Sequence, residues 1–342
     1  MANLVAPPFQ TSNEFYTVTF SASAGGAALK GGGGCTLSFG TSLRLIPPGR
    51  QAGQASVVLP VVIKSGEKND ESIKRELEVL RDCCRPESGN YPMLPLYVGE
   101  CPSPTGGSYV VLSRGPSDLA RRVGTGSKVK CIPQEPRFAI RTVISLLDAL
   151  SVLHAKGWVH CDVQPKNMLQ GCESDSVTLI DFGTCIRVGE SEGVRERSWE
   201  FCAPEQWQKG VVDHRTDAFG SAGILFYLLS GHAPFFPGDD AASQIVSQAE
   251  EDEEDEDWEP YKEECRALAT NVARNFNDIV ASLEAQLNDH TLLHNSFSDD
   301  NGDSRGIRHL LWMAMGAGDE RIDAATMARW LRLILAGLGP GP

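Results

Sequence analysis

The chain has 342 residues, of which 41% are hydrophobic and 22% are charged, and its formal net charge is −14. This length allows one large domain or two lobes, each with its own core. The acidic balance argues against nucleic-acid binding, and the longest apolar stretch, at residues 223–229, is too short to cross a bilayer. Since the first residues also lack a basic segment followed by an apolar one, we expect a soluble intracellular protein, cytoplasmic or nuclear, with no membrane partner.

Cysteine is common, with ten residues, but no two of them form a Cys-x-x-Cys pair. This spacing argues against a zinc site and against a disulfide framework. We therefore predict reduced thiols.

The N-terminal part of the chain is predicted to form strands. Residues 1–50 are rich in glycine, including a run at residues 31–34, and contain a β-prone patch at residues 15–20. Residues 55–64 are mostly β-branched and predict a strand that ends at Lys64. Residues 109–112 predict another short strand, and the breaker at residues 114–116 that follows it is suited to a hinge.

Helices are predicted elsewhere, one of them before the hinge. Ile73, Leu77 and Leu80 recur at helical spacing and predict a helix over residues 70–83. After the hinge, the apolar pattern predicts further helices at residues 138–156, 217–230 and 261–288, with two more within 306–336. This order predicts an α+β protein with a small antiparallel sheet lobe, residues 1–113, and a larger helical lobe, residues 114–342.

An acidic run occupies residues 250–257, within a predicted insertion near residues 249–264. Such a run is usually a solvated loop, and the alternative is that it binds a basic partner.

Four short motifs follow one another in the second half of the chain. They are His160-Cys-Asp-Val-Gln-Pro-Lys-Asn167, Asp181-Phe-Gly183, Ala203-Pro-Glu205, and Asp217, which opens a predicted apolar helix. In content and order this resembles the catalytic loop, the metal-binding motif, the Ala-Pro-Glu motif and the central helix of eukaryotic protein kinases. The resemblance implies a two-lobed kinase fold and transfer of phosphate from ATP to protein substrates.

The resemblance also implies roles for individual residues. Asp162 would accept the proton of the substrate hydroxyl, and Asn167 with Asp181 would hold Mg²⁺, which prefers oxygen ligands. Lys64 would contact the α- and β-phosphates of ATP, and Glu76 would orient this lysine, with Glu78 as the competing choice.

Other expected contacts lie around this centre. ATP is expected near the hinge at residues 112–117, where Asp118 would contact the ribose. Lys166 lies where tyrosine kinases carry an arginine and would supply positive charge to the transferred group.

Structural roles are expected for five further residues, namely His160, Ser198, Glu205, Asp217 and Arg321. The carboxylate of the Ala-Pro-Glu motif is expected to form a buried ion pair with the arginine near the C-terminus. The hydroxyl of Ser198 is expected to contact Asp162, and this serine favours the serine/threonine class over the tyrosine class.

The sequence departs from the family pattern at several points. Cys161 replaces the arginine that normally binds an activation-loop phosphate, so we expect activity without phosphorylation there. Gln164 replaces a lysine that neutralises the transferred group, a loss that costs roughly 2–4 kcal/mol of transition-state stabilisation. No Gly-x-Gly-x-x-Gly motif aligns; the run at residues 31–34 is either a loop over the phosphates or a linker. The region between Gly231 and Arg321 is longer than in other family members.

Two other functions stay open. One is a pseudokinase that binds ATP or acts as a scaffold, suggested by Gln164 and the missing glycine motif. The other is a small-molecule kinase of the aminoglycoside or choline type, which the Ala-Pro-Glu segment argues against.

Overall fold

The structure is a computed structural model that describes the chain in segments. These are residues 9–12, 17–22, 29–30, 36–46, 57–65, 70–84, 93–102, 108–124, 129–171, 175–191, 198–207, 210–235, 259–298, 301–316 and 320–339. The chain divides into two compact units. Unit 1 contains residues 1–116 and Ile180–Cys185, and unit 2 contains Ser117–Leu179 and residues 186–342. The division after Pro116 lies three residues beyond the predicted boundary, and the inclusion of Ile180–Cys185 in unit 1 was not predicted.

Unit 1 is built on a seven-stranded antiparallel sheet. Its strands pair in the order β1-β2-β4-β5-β7-β6, and β3 pairs with β4. The strands are β1 Phe9–Ser12, β2 Thr17–Ala22, β3 Leu29–Lys30, β4 Thr36–Ile46, β5 Val57–Ser65, β6 Tyr97–Pro102 and β7 Ser108–Ser113. The predicted antiparallel sheet is confirmed.

Helix α1, Glu71–Cys83, connects β5 to β6 and confirms the predicted helix. It begins where the side chain of Asp70 accepts hydrogen bonds from the backbone N–H groups of Ser72 and Ile73, which satisfies donors that the first turn leaves open. Its buried face is the apolar stripe that the sequence indicated, with one acidic residue, Glu76, in the same stripe.

Unit 2 is mainly helical. Its first helices are α2 Leu119–Arg122, α3 Pro136–Ala155, α4 Pro204–Trp207 and α5 His214–Ser230. Helix α5 is buried along almost its whole length and ends at Gly231, whose φ of 91° is the left-handed conformation that glycine adopts readily. Its start differs from the prediction, since the helix begins three residues before Asp217. The reason is a capping box in which Asp213 and Thr216 bond each other's backbone N–H groups.

The C-terminal helices of unit 2 are α6 Glu259–Thr270, α7 Val272–Gln286, α8 His290–His294, α9 Ile307–Met315 and α10 Ala324–Gly337. The two helices predicted within residues 306–336 are confirmed. The single helix predicted at residues 261–288 is wrong, because α6 and α7 are separated at Asn271. The side chain of Asn271 donates to the backbone carbonyl of Ala267, and such local bonding competes with helix continuation.

Short antiparallel strand pairs complete unit 2. They are β8 Trp158–Val159 with β11 Ile186–Arg187, β9 Met168–Gln170 with β10 Val177–Leu179, and β12 Phe297–Ser298 with β13 Ser304–Arg305. The first two pairs flank the catalytic-loop motif, and β12 and β13 precede α9.

One helix, α3, is long and apolar enough to pass a length-and-composition test for a membrane span, with a mean hydropathy of 1.5. The sequence reading had considered only the shorter stretch at residues 223–229. Half of the α3 window is buried inside the protein, and buried core helices pass the same test. Its buried face includes Ile140, Leu147 and Leu150.

Candidate active site

Lys64 lies in the middle of the unit 1 sheet. Strand β5 is paired on both sides, so that Lys64 is opposite Leu37 of β4 and Val110 of β7. The lysine is only 8% exposed, and its Nζ lies 2.7 Å from Glu76 Oε2 and 2.7 Å from Asp181 Oδ1. A buried ammonium between two carboxylates is held in one position by charge-assisted hydrogen bonds.

The structure distinguishes between the two candidate glutamates of α1. Glu76 is fully buried and contacts Lys64, whereas Glu78 is exposed. Burial raises the pKa of Glu76, against the opposing effect of the Lys64 ammonium; the nearby Asp181 charge also raises it. The sequence signal was present, since Glu76 is three residues after Ile73 and four before Leu80, in the apolar stripe.

Asp181 belongs to unit 1, although the strand before it belongs to unit 2. It has φ 67° and ψ 76°, a left-handed conformation that is uncommon for a non-glycine residue. The 3₁₀ turn after it, Phe182–Thr184, packs against α1 so closely that a Cβ on Gly183 would lie 2.0 Å from Ser72 Oγ. This close approach requires glycine and holds Asp181 beside Lys64.

In unit 2, Asp162 accepts hydrogen bonds from several donors. The side-chain amides of Gln164 and Asn167 both donate to Oδ2 over 2.8 Å, and the backbone N–H of Ser198 donates to Oδ1 over 3.3 Å. The expected contact from the Ser198 hydroxyl is therefore replaced by one from its backbone. The cause is local, since Ser198 directly precedes a 3₁₀ turn, Trp199–Phe201.

Asp217 supports the backbone just before Asp162. Its carboxylate, in a residue 1% exposed, accepts hydrogen bonds from the backbone N–H groups of His160 and Cys161 over 2.8 and 2.9 Å, and from His154 Nε2 over 2.8 Å. Burial alone raises the pKa of Asp217, but the hydrogen bonds and charges of the histidines outweigh it, so the pKa lies below its ordinary value.

Cys161 is the second non-glycine residue with positive φ, at 65°, among the described residues. Such a conformation costs energy and persists where surrounding contacts enforce it. Two contacts do so here, namely the bond from its N–H to Asp217 and the bond from Gln206 Nε2 to its carbonyl over 2.7 Å. The loop that carries Asp162 is thus fixed from two sides.

Arg321 and Glu205 form an ion pair with 2.7 Å between Nη1 and Oε1. The arginine side chain is 1% exposed, also donates to the carbonyl of Gly316, and has its guanidinium carbon 4.8 Å from the centre of the Phe219 ring. Thr216 Oγ1 donates to the same carboxylate oxygen over 2.8 Å. The contact that the sequence indicated is present, and it ties the Ala-Pro-Glu segment to the end of unit 2.

The roles of two proposed site residues, Asp118 and Lys166, stay predictions. The carboxylate of Asp118 caps α2 by accepting from the N–H of Arg121 over 3.0 Å, so its contact with a ribose stays a prediction. Lys166 is exposed, and its catalytic role also stays a prediction. The glycine run at residues 31–34 and the acidic run at residues 250–257 lie outside the described residues.

Three neighbours of the site were missed from the sequence. Gln206 is buried and follows the Ala-Pro-Glu motif directly, and this position beside the motif was the available signal in the sequence. His154 contacts Asp217, and His214 stacks on His154 with 4.2 Å between ring centroids. Burial and then the charge of His154 lower the pKa of His214, against opposing effects of Asp217 and other nearby carboxylates.

Each unit, taken by itself, contains one candidate oxygen ligand for a hard divalent cation, Asp181 in unit 1 and Asn167 in unit 2. Asp181 has a carboxylate that is 42% exposed, and Asn167 uses its Nδ2 to donate to Asp162, which leaves its carbonyl oxygen as a ligand. Both are oxygen donors of the kind that Mg²⁺ prefers. Within the described segments, no three His, Cys, Asp or Glu side chains cluster as a metal site.

Parts of the chain are similar to known proteins. A family model described as the protein kinase domain matches residues 115–282. The chain is 32% identical over 159 residues to serine/threonine-protein kinase PknL of Mycobacterium tuberculosis. This alignment covers 45% of this chain and 37% of that protein. It is also 30% identical over 125 residues to serine/threonine-protein kinase PknB of Mycobacterium leprae, in an alignment that covers 35% of this chain and 20% of that protein.

A solved structure resembles the chain over a longer range. It is that of vaccinia related kinase 3, with a TM-score of 0.57, 17% identity, and coverage of 94% of both chains. At this identity the likeness concerns the fold alone. The alignments with PknL and PknB span between about a fifth and two fifths of those relatives' length.

Proposed function

Since the chain belongs to the protein kinase superfamily, we propose that it transfers the γ-phosphoryl group of ATP to serine or threonine hydroxyls of protein substrates. The observation that carries the proposal is the buried lysine Lys64 between Glu76 and the half-exposed Asp181, with 2.7 Å between its ammonium and each carboxylate. A buried lysine with two acidic partners has a clear use in binding phosphate oxygens, because phosphoryl transfer depends mainly on positioning and charge neutralisation.

Unit 1 would supply the phosphate-binding chemistry. Glu76 keeps the ammonium of Lys64 in place. Burying this ion pair costs free energy of desolvation, and a solvated surface lysine would not carry that cost. Lys64 would bind the α- and β-phosphates, and Asp181 would bind the metal ion. Bound Mg²⁺ would neutralise phosphate charge, which is the chemistry that it supplies in this class of reaction.

Unit 2 would supply the base. Because Gln164 and Asn167 both donate to Oδ2 of Asp162, Oδ1 is the oxygen that would accept the proton of the substrate hydroxyl. The Ser198 N–H contact to Oδ1 is long, at 3.3 Å, and leaves a lone pair of that oxygen for the hydroxyl. A serine or threonine substrate is supported by Ser198 and by the similarity to PknL and PknB, which are serine/threonine-protein kinases.

The experiment is an assay with radiolabelled ATP and Mg²⁺, using a generic protein substrate and the chain itself as acceptors. Label on serine or threonine is expected with the wild-type protein. Asp162→Ala, Lys64→Met and Asp181→Ala should each abolish it, while Glu78→Gln, on the exposed face of α1, should leave it unchanged. Equal labelling by the wild type and Asp162→Ala would reject the proposal.

A second candidate, an ATP-binding module without turnover, is favoured by Gln164. A neutral amide bonds Asp162 at the position where the family carries an ammonium. The two candidates differ in one measurement: both predict that Mg²⁺-ATP raises the melting temperature of the wild type and not of Lys64→Met, but the second predicts no label on any acceptor.

A further inference from the structure

A pocket of about 490 Å³ lies in unit 2, formed by α7, α8, α9 and the β12–β13 hairpin. The aromatic and basic side chains that line it are those of Phe276, His294, Arg305, Arg308, His309 and Trp312. We call it the Trp312 pocket. Its volume lies within the range of small-ligand and peptide side-chain sites, and none of the residues assigned above to phosphoryl transfer lines it.

The aromatic wall of the pocket is held in place and open on one side. Trp312 is 41% exposed, and its ring meets the buried ring of Phe276 edge to face, with centroids 4.8 Å apart. His309, three residues before Trp312 on α9, stacks on Trp330 with centroids 5.4 Å apart. A large exposed indole fixed by a buried neighbour is typical of binding hot spots.

Positive charge lies beside this wall. Arg308 and Trp312 are four residues apart on α9 and therefore neighbours on the same helix face. Arg305 pairs with Asp303 over 2.8 Å, and His294 lies 3.7 Å from Glu284, so each of these has a carboxylate nearby. Arg308 is exposed, and within the described segments no carboxylate forms an ion pair with it. Its guanidinium is the donor that the pocket offers to an incoming anion.

The combination limits the ligand. An inorganic anion would use the arginine but not the indole, and an apolar ligand would use the indole but not the arginine. A peptide that carries carboxylates or phosphates beside an aromatic or aliphatic side chain uses both, since arginine binds such groups with two parallel hydrogen bonds.

We infer that the Trp312 pocket binds an acidic peptide segment of a protein partner, with Arg308 contacting its anionic group and Trp312 its apolar side chain. If the partner is a substrate, the pocket holds it to the enzyme apart from the residue that is phosphorylated and raises its effective concentration. This second part rests on the proposed function, whereas the binding itself does not.

The binding is tested by fluorescence anisotropy on the full chain. The probe is a fluorescein-labelled peptide with glutamates around one phenylalanine, compared with a matched peptide carrying glutamines and one carrying phosphoserine. We expect the glutamate peptide to bind and the glutamine peptide to bind at least about tenfold more weakly. Tighter binding of the phosphoserine peptide would identify phosphate as the preferred anion of the same site.

Variants assign the binding to the pocket. Arg308→Ala and Trp312→Ala should each weaken it about tenfold or more, Trp312→Phe should retain most of it, and added salt should weaken it. The matched control is Arg266→Ala, which removes an exposed arginine from α6, outside the pocket. Arg308 is exposed, so its loss tests the pocket without disturbing the core. Wild-type affinity in Arg308→Ala, or equal binding of the glutamate and glutamine peptides, would overturn the inference.

Turnover provides the separate test of the substrate role. With a substrate joined to the acidic peptide, Arg308→Ala should raise KM about tenfold and leave kcat unchanged, while kinetics on the same substrate without the peptide stay the same. The inactive Lys64→Met variant should still bind the probe. Binding without any phosphorylation would therefore contradict the proposed function alone, and phosphorylation without binding would contradict the pocket alone.

Discussion

Asp217→Asn tests whether the buried carboxylate holds the loop that carries Asp162. The substitution keeps the shape but replaces one acceptor oxygen with an NH₂ donor. In the native protein both oxygens accept, Oδ2 from His154 and His160 and Oδ1 from Cys161. The best orientation of the amide therefore puts its NH₂ against the N–H of Cys161 and loses that bond.

The magnitude follows from these three bonds. A buried N–H left without a partner costs about 1–3 kcal/mol, and turning two bonds to a charged acceptor into neutral ones costs about 1 kcal/mol each. The expected loss in the free energy of unfolding is thus about 3–5 kcal/mol, a large share of the about 5–15 kcal/mol typical of a native protein. Cys161 would then relax from its positive φ, and Asp162 would move with it.

The assay is urea denaturation followed by tryptophan fluorescence, alongside phosphorylation kinetics. The matched control is Ser221→Ala on the same helix, which loses one neutral bond, from Ser221 Oγ to the carbonyl of Asp217, and should cost no more than about 1 kcal/mol. If Asp217→Asn costs no more than this control, the carboxylate does not hold the loop.

A pH series gives an independent check. The pKa of Asp217 lies below its ordinary value of 3.8, so its stabilising effect is present above that pH and is lost as the pH falls through the lower, native value. The stability difference between wild type and Asp217→Asn should therefore be constant near neutral pH and shrink in strong acid. A difference that grows in acid would contradict the assigned sign.

Three further outcomes are expected. Arg321→Met should lower the free energy of unfolding by about 2–4 kcal/mol, and the double variant with Glu205→Gln should cost clearly less than the sum of the single variants; additivity in a double-mutant cycle would show that the pair is not coupled. The pKa of His214 is lowered, so the native state disfavours its protonation. Stability should therefore fall as the pH drops below about 6.5, and His214→Phe should flatten this dependence. If the melting temperature of His214→Phe falls with pH as steeply as that of the wild type, this role of His214 is refuted. Gln164→Lys should raise kcat by about tenfold or more by restoring a cation beside Asp162, and Gln164→Ala should not; a rise in both would show that loss of the amide, not gain of charge, is responsible.

The elements that the sequence predicted well are those whose pattern is set by local burial. The apolar residues of α1 recur at helical spacing, and the β-branched residues of β5 are typical of a strand. The bounds of both elements were therefore predicted to within a few residues. The joint between α6 and α7 was missed because the apolar period continues across Asn271, where the backbone leaves the helical conformation with a ψ of 29° and the side chain bonds the carbonyl of Ala267.

The candidate site likewise has some features that could be predicted from the sequence and others that could not. Asp181 was proposed from its Asp-Phe-Gly motif and Lys64 from the end of a predicted strand, whereas the choice of Glu76 over Glu78 needed the contact with Lys64. The assignment of Ile180–Cys185 to unit 1 could not be predicted, because it depends on packing of the Phe182–Thr184 turn against α1. Likewise His214 has no motif of its own. It became visible only through its stacking on His154, a contact between helices that are far apart in sequence.

The departure at Gln164 is best understood from the hydrogen bonds of Asp162. The amide reaches Oδ2 over 2.8 Å, the same distance as Asn167, so the orientation of the carboxylate is retained without a lysine. What is lost is one positive charge, which acts on the transferred group and not on the base. Under the proposed function, loss of this charge would lower the rate of transfer, while the proposed binding of ATP by Lys64 and the position of Asp162 would be unchanged. The catalytic and non-catalytic functions therefore differ in one rate constant, and Gln164→Lys is the substitution that moves the protein from one toward the other.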